Sequence, residues 1–254
     1  MEHFSFFQGE TVISFLLLFV RISFLLALLP LFSNMSIPAT VKAGLSLYLT
    51  FIFYFSITPP ELPDSWFAIG TAIFSEMIFA LIAGLVLNLA IYMLTYAGEH
   101  ISLMMGFSMA TVFDYQTSIS MPMISQFLSF LALMMLFAFD GHHMMLLFMH
   151  DSISSVPLGG FVMADGIFDY IVEAFKNLFV MGLSIAFPIL ALSLLSDIIF
   201  GMLMKTMPQF NLLVIGYPIK IGIGFIVLIA VISSMMLIFK TEFIKYYNDL
   251  PMLF

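Results

Sequence analysis

Residues 67–97 read FAIGTAIFSEMIFALIAGLVLNLAIYMLTYA, and Glu76 is the only charged residue among them. An α-helix needs about 20 consecutive apolar residues to cross the ~30 Å hydrocarbon core of a bilayer. Backbone groups inside lipid must be hydrogen-bonded within their own segment, which a helix achieves and an isolated strand does not. The stretch therefore predicts a membrane-spanning helix, and at about 46 Å it would be longer than one crossing requires.

Five further apolar stretches approach or exceed the length of a crossing, and prolines or glycines fall between them. They run over Thr11–Leu29, Val41–Ile57, Met123–Phe139, Ile167–Phe200 and Leu212–Phe239. Pro188 lies inside the fourth of these and predicts a kink there. We therefore predict an all-α polytopic membrane protein with about six long, kinked hydrophobic helices that form hairpins. The two longest stretches either project beyond the bilayer or break into hairpins of their own.

The composition places most side chains in an apolar solvent. Hydrophobic residues make up 63% and charged residues 9% of the 254 positions, against about 45–50% and about 25% in soluble domains. The net charge of -8 argues against a nucleic-acid partner, which would require a basic surface. The absence of cysteine excludes disulfides, iron–sulfur clusters, thiolate zinc sites and cysteine nucleophiles. No motif indicates a cofactor.

The first ten residues, Met1–Glu10, carry two glutamates and no lysine or arginine. A cleavable secretory signal needs a positively charged start and a small-residue cleavage site. We therefore expect the first apolar stretch to remain in the mature protein.

Charged residues inside apolar stretches are costly and therefore informative. Insertion scales place the cost at about 2.5–3.5 kcal/mol for a charge at the centre of a membrane helix. Arg21 and Glu76 lie deep in their stretches, where pairing with another helix or subunit is favoured over an ion path. Asp197 and Lys220 lie near the ends of their stretches, where pairing and snorkelling to the interface are equally open.

The connection over residues 97–122 is long and is rich in phenylalanine and methionine instead of solvating residues. Long ordered loops are usually functional, and methionine suits surfaces that must re-pack. Two interpretations fit these residues: a deformable hydrophobic seal, or a re-entrant segment buried against helices.

A histidine-rich stretch, Asp140-Gly141-His142-His143, precedes the pair His150-Asp151 and raises the question of a metal site. Adjacent histidines point about 100° apart on a helix, and the His-Glu-x-x-His spacing of zinc hydrolases is absent. Hydrolase signatures such as Gly-x-Ser-x-Gly are absent as well. These residues favour a structural or interfacial role over a metal or catalytic one.

Residues 197–220 read DIIFGMLMKTMPQFNLLVIGYPIK, and this stretch resembles the signature of the FliR family. FliR is the flagellar member of the type III secretion export-apparatus subunits, which are called SctT in injectisomes. The positions that carry the resemblance are Asp197, Gly201, Lys205, Pro208, Gln209, Asn211, Gly216, Pro218 and Lys220. Three further runs are similar to the family in the same order: Ser36–Leu45 with Lys42, Ala97–Glu99 with Met105–Ser108, and Phe139–His143.

The resemblance implies a non-enzymatic subunit of a cone-like export gate in the bacterial inner membrane, within the flagellar basal body. One such subunit would join several FliP-type and FliQ-type membrane subunits, with a FlhB-type switch protein at the entrance. Unfolded export substrates would pass through the gate, and membrane lipid would surround it. The chain would form one domain over residues 1–254, with a FliP-like part over about 1–166 and a FliQ-like C-terminal hairpin over about 167–254.

The resemblance also implies a pore plug over Gly106–Met121. Its candidate residues are Met105, Gly106, Phe107, Met109, Val112, Phe113 and Asp114. Apolar, flexible side chains can exclude ions by dewetting and still yield to a polypeptide. The family's Asp-Pro is replaced by Asp114-Tyr115, and the loss of a proline predicts a more mobile loop.

The residues assigned to subunit contacts or assembly are Arg21, Lys42, Glu76, Glu99, Pro208, Gln209, Asn211, Gly216, Pro218 and Lys220. Two other functions remain as alternatives. A small-solute or ion transporter would use Arg21, Glu76 and Asp197 as a relay, although no internal repeat supports it. An intramembrane hydrolase would use Asp140, His142 and His143, without any recognised signature.

Overall fold

The computed structural model describes residues 9–32, 37–55, 65–107, 122–207, 209 and 211–253, with only the backbone described for residues 9 and 10. In these ranges the chain forms seven α-helices and no strand. They are α1 (Gly9–Leu28), α2 (Ala39–Tyr54), α3 (Trp66–Met105), α4 (Met123–Ala138), α5 (Gly141–Ser155), α6 (Ile167–Thr206) and α7 (Tyr217–Asp249). A π-helical turn, Leu212–Gly216, leads into α7, and a 3-10 turn, Leu250–Met252, follows it.

Four of these helical segments are long and apolar enough to cross a membrane. They lie in α1, α3, α6 and the segment Leu212–Met252 that contains α7. Helices α4 and α5 meet at a bend of 70° and together make a fifth candidate span, whereas α2 is shorter. The prediction of an all-α polytopic membrane protein is confirmed.

Helix α5 is the element that the apolar stretches did not predict. Its sequence, GHHMMLLFMHDSISS, mixes apolar residues with histidines, serines and an aspartate. Because of these polar residues, the predicted apolar stretch that begins at Met123 ends at Phe139 and does not include α5. The helix nevertheless forms because Met145, Phe148 and Met149 supply a buried apolar face.

The two overlong stretches do not break into hairpins. Helices α3 and α6 are each 40 residues long, which corresponds to about 60 Å. Helix α6 continues through Pro188, whose ring removes one backbone donor without ending the helix. Each helix is therefore about twice as long as the hydrocarbon core is thick.

The described residues belong to two compact units, and each unit takes segments from both halves of the chain. The first comprises Met1–Asn88, Phe137–Val172 and Ile244–Phe254, and the second comprises Leu89–Leu136 and Glu173–Phe243. The predicted division into a FliP-like part and a FliQ-like hairpin near residue 166 follows a different criterion, that of family resemblance. It stays a prediction.

In the first unit, α1 packs closely on α3. Leu18, Ile22 and Leu25 share one face of α1 and are fully buried, as is Leu29 directly after the helix. Gly84 of α3 allows the approach, because a Cβ there would lie 2.5 Å from the Cβ of Leu28. The chain thus uses a small residue where two membrane helices come into close contact.

In the second unit, small and hydroxyl-bearing residues join α3 to α4. A Cβ on Gly98 would lie 2.5 Å from the Cα of Ser125. The Ser125 hydroxyl donates to the Thr95 carbonyl at 2.9 Å, and the Thr95 and Ser129 hydroxyls lie 3.0 Å apart. This pattern is typical of closely packed membrane helices, in which serine and threonine side chains form hydrogen bonds from one helix to the next.

Candidate functional site

The first candidate site is the ion pair between Arg21 of α1 and Glu76 of α3. Arg21 Nε donates to Glu76 Oε2 at 2.5 Å, and a terminal guanidinium nitrogen donates to Oε1 at 2.9 Å. Both side chains are 0% exposed. The two parallel bonds form the bidentate geometry that a guanidinium and a carboxylate prefer.

The remaining donors of Arg21 bind the C-terminal end of α5. They reach the carbonyl of Ser152 at 2.7 Å, that of Val156 at 2.9 Å and that of Pro157 at 3.3 Å. The last carbonyls of a helix lack partners within the helix, and a cation at this end is favoured by the helix dipole. All five N–H groups of the guanidinium therefore have acceptors.

Glu76 binds the turn that follows α5. Its Oε1 accepts the backbone N–H of Gly159 at 2.6 Å. Gly159 has φ +73, and a Cβ there would lie 2.8 Å from the Cβ of Ala72. The ion pair thus connects α1, α3, the end of α5 and the next turn, all within the first unit.

This arrangement identifies the partner of each of these two charged residues. They pair with each other across two helices, and the ring of Phe79 lies 4.9 Å from the guanidinium. A group that relays ions must exchange partners, whereas here every donor of the arginine is engaged. The geometry is that of a structural connection.

The second unit contains another ion pair, between α6 and α7. Lys220 Nζ donates to the two carboxylate oxygens of Asp197 at 2.7 and 2.8 Å. The lysine side chain is 8% exposed and that of the aspartate is 52% exposed. Of the two interpretations of Lys220, pairing is therefore the one that the structure shows.

The tip between α6 and α7 is organised by Asn211. Its side-chain oxygen accepts the N–H groups of Leu213 and Val214 at 3.0 and 3.3 Å and so caps the π-helical turn. Gly216 is buried, and a Cβ there would lie 2.5 Å from Leu212 Cδ1. Gln209 and Pro218 are exposed, and Pro208 lies outside the described residues.

Residues at the start of the predicted plug contact α7. Met105 is fully buried, and a Cβ on Gly224 would lie 2.6 Å from its Cε. Gly106 has φ +90 beside the ring of Tyr217. The rings of Phe107 and Phe225 meet edge to face with their centroids 5.9 Å apart. We refer to Met105, Gly106 and Phe107 as the loop stem.

The other predicted residues fall into two groups. Lys42 is partly buried in the first turn of α2, and Glu99 is exposed on α3. Met109, Val112, Phe113 and Asp114 lie outside the described residues.

Comparison with known proteins decides the family. Residues 12–245 match the family described as bacterial export proteins, family 1. The chain belongs to this family. The resemblance predicted from the ordered motifs is confirmed by it.

Three relatives of this export-family chain are each named Flagellar biosynthetic protein FliR. The one from Bacillus subtilis (strain 168) is 30% identical over 236 residues, covering 91% of this chain and 90% of that protein. The one from Escherichia coli (strain K12) is 30% identical over 206 residues, covering 81% and 78%. The one from Pectobacterium carotovorum subsp. carotovorum is 32% identical over 219 residues, covering 83% and 80%.

Two further polar contacts form in this export-family chain, and the sequence did not single out Asn177 or Glu242, which make the first of them. Asn177 of α6 donates to Glu242 of α7 at 2.7 Å, and Glu242 is 8% exposed. Asn88 donates to the carbonyls of Leu28 and Gly84 at 2.5 and 2.7 Å. Glu242 was missed because it follows the last apolar stretch and looks like part of a polar end.

Helices α6 and α7 expose much of their apolar surface in the isolated chain. In the most apolar 18-residue part of α6, only 33% is buried, and in that of the segment Leu212–Met252 only 17% is buried. The corresponding part of α3 is 67% buried. Among the exposed side chains are Phe187, Ile198, Ile226 and Ile229. Apolar surface of this extent requires either lipid or other subunits to cover it.

Proposed function

We propose that the chain is the FliR-type membrane subunit of a flagellar type III protein-export gate. The observation that carries the proposal is the family match over residues 12–245, together with relatives named Flagellar biosynthetic protein FliR that align over most of their length. The subunit acts in the bacterial inner membrane, within the flagellar basal body. Its role is to help form a channel for unfolded export substrates, and it catalyses no reaction.

The exposed apolar faces of α6 and α7 support an assembly role. Lipid could cover these faces if the chain crossed the membrane alone. Helix α6 also carries the charges of Asp197 and Lys205, however, and exposing a charge to lipid is costly. We assign the faces to FliP-type and FliQ-type subunits, with lipid on the remainder and a FlhB-type switch protein at the entrance of the gate.

The assembly proposal is tested by purifying the tagged chain from its native membrane in a mild detergent. Mass spectrometry should find FliP-type and FliQ-type proteins, each in a fixed excess over this chain. Recovery of the chain alone, or as a homo-oligomer, would overturn the proposal.

We assign the closing of the pore to Gly106–Met121. The loop stem supports this assignment because Met105, Gly106 and Phe107 are held against α7, so that the following residues start from a fixed point. Apolar side chains would exclude ions by dewetting and would still give way to an unfolded polypeptide.

Deletion of Gly106–Met121 should make cells that contain the assembled gate permeable to small ions, while part of the export remains. The reason is that the deletion removes the seal and leaves the surrounding helices in place. Membrane conductance and secreted flagellar protein are measured in the same cells. A conductance equal to that of the wild type, with the gate shown to be assembled, would contradict the sealing role.

A solute transporter is less well supported. Its relay would need Arg21 and Glu76 to exchange partners, yet the guanidinium has an acceptor for each of its donors. Asp197 is engaged separately with Lys220.

A further inference from the structure

The break between α4 and α5 has an unusual backbone. Asp140 has φ 60 and ψ 26, and no other non-glycine residue in the described ranges has a positive φ. Aspartate adopts this left-handed conformation more readily than most residues. The Asp140 carbonyl accepts the N–H groups of His143 and Met144 at 3.0 and 3.2 Å and so begins α5. The carboxylate is thereby placed beside the first turn of the helix.

Two histidines of that turn converge on the same place. The ring centroids of His142 and His143 lie 4.2 Å apart, with an interplanar angle of 35°. The expectation that adjacent histidines diverge is wrong here, because two rotatable bonds separate each ring from the backbone and allow the rings to approach. His143 Nδ1 lies 3.5 Å from Asp140 Oδ1. One potential ligand atom from each of the three residues lies within 4.8 Å of the others.

A separate observation indicates a missing partner at His142. Its Nδ1 is buried, and no polar atom of the described residues forms a hydrogen bond with it. A buried polar atom without a partner is rare and calls for an explanation. A metal ion is one partner that an unprotonated imidazole nitrogen accepts.

We propose that Asp140, His142 and His143 form a binding site for one first-row transition-metal ion, with zinc as the ion that fits best. Imidazole nitrogens and a carboxylate oxygen are ligands that zinc accepts at about 2.0–2.2 Å in a tetrahedral arrangement. The ligand atoms would then lie about 3.4 Å apart. His143 Nδ1 and Asp140 Oδ1 are already 3.5 Å apart, and no pair of ligand atoms lies beyond 4.8 Å, so the closing required is at most about 1.4 Å. The exposed side chains of Asp140 and His143 can make this movement, since they are 74% and 66% exposed. Water would complete the coordination.

The bound ion would fix the backbone at the break. It would tie Asp140, which precedes α5, to the first turn of that helix, and it would give the buried nitrogen of His142 a partner. The role is structural, and it is independent of the proposed export function.

The test uses the full chain, purified in mild detergent with whatever subunits accompany it, and carrying a tag without histidine. The protein is stripped with a chelator and titrated with zinc in competition with a zinc-sensitive dye. Cobalt is used as a second probe, because its visible absorption reports the coordination. We expect the titration to show that this site binds one zinc ion per chain. The variants Asp140→Asn and His143→Ala should each bind that ion at least about tenfold more weakly.

These variants separate a metal site from a folding defect. Asparagine also tolerates the left-handed conformation, and His143 is largely exposed, so both proteins should remain folded. The matched control is His150→Ala, because His150 and Asp151 lie 3.1 Å apart on the same helix and are about as exposed, but are not part of the three-residue cluster. Zinc affinity should be unchanged in this control. The proposal is overturned if the wild type binds neither zinc nor cobalt at micromolar concentrations. Equal zinc affinity in the wild type, Asp140→Asn and His143→Ala would overturn it as well.

Discussion

Arg21 shows how a membrane protein can bury a charge without exposing it to lipid. A charged group at the centre of a bilayer is costly, and a buried ion pair is tolerated only when its geometry is good and its other donors are satisfied. Arg21 meets both conditions through Glu76 and three backbone carbonyls. We therefore infer that the pair helps to specify which helices adjoin.

Replacement of Arg21 by leucine should destabilise the first unit by about 3–5 kcal/mol, because it leaves the Glu76 carboxylate buried and unpaired. The midpoint of thermal unfolding in detergent and the amount of protein in the membrane measure the effect. The double variant Arg21→Leu/Glu76→Gln should be less damaged than the single variant, since no buried charge remains. Equal stability of Arg21→Leu and the wild type would contradict this account.

The pair of Asp197 and Lys220 predicts rescue by exchange of charges. Lys220→Asp and Asp197→Lys should each weaken the contact between α6 and α7 and reduce recovery of partner subunits, because each places like charges together. The double variant should recover much of the loss, since the bond lies within one chain. If Lys220 instead binds another subunit, the exchange will not restore co-purification.

At the scale of elements, the length and contacts of each helix have separate causes. Long, predominantly apolar sequence explains why α3 and α6 reach 40 residues, although both helices also contain charged residues. Glycine positions then determine where helices approach closely, as at Gly84 against Leu28 and at Gly98 against Ser125. Membrane helices gain little from apolar burial against one another, so such close packing is a main source of their association.

Gly84→Ala should force α1 away from α3, because its Cβ would lie 2.5 Å from the Cβ of Leu28. We expect a loss of about 1–3 kcal/mol in unfolding free energy, the usual cost of overpacking. Gly70→Ala on the same helix is the matched control, since no atom of the described residues lies within 4 Å of its Cβ. That control should be neutral or slightly stabilising, because alanine favours a helix over glycine. Similar thermal midpoints for the two variants would refute the close-contact interpretation.

At the scale of the whole molecule, long helices serve both compact units. Helices α3, α6 and α7 each contribute residues to the first and to the second unit. The loop stem at the end of α3 lies in the second unit, where it contacts α7. Its position is thus determined by the same hairpin whose apolar faces we assign to partner subunits.

Gly224→Ala should loosen the loop stem and increase the ion conductance of cells that contain the assembled gate. The added methyl group would lie 2.6 Å from Met105 Cε and 2.9 Å from its Cγ, so the side chain must move away from α7. Gly222→Ala provides the control on the same helix, because in the part of the chain that the structure describes its Cβ meets nothing within 4 Å. Identical conductance in the two strains, with equal amounts of assembled gate, would argue against a sealing role for the stem.

The sequence by itself determined the fold class, most helix positions and the family. Apolar length is a local property, so six of the seven described helices could be located from their stretches. Helix α5 could not, since its apolar face depends on residues that are interrupted by histidine and serine. The ordered motifs were sufficient to predict the family, because their residue types and their order are properties of the sequence alone.

Only the tertiary structure decided which charges meet. Arg21 and Glu76 are 55 positions apart, and the carbonyls that complete the arginine's bonds are more than 130 positions away. No local pattern encodes such a pairing, because it depends on which faces of α1, α3 and α5 pack together. The approach of the His142 and His143 rings likewise depends on side-chain rotation, which residue spacing does not reveal. Apolar length is set by neighbours in sequence, whereas the satisfaction of a buried polar group is set by neighbours in space.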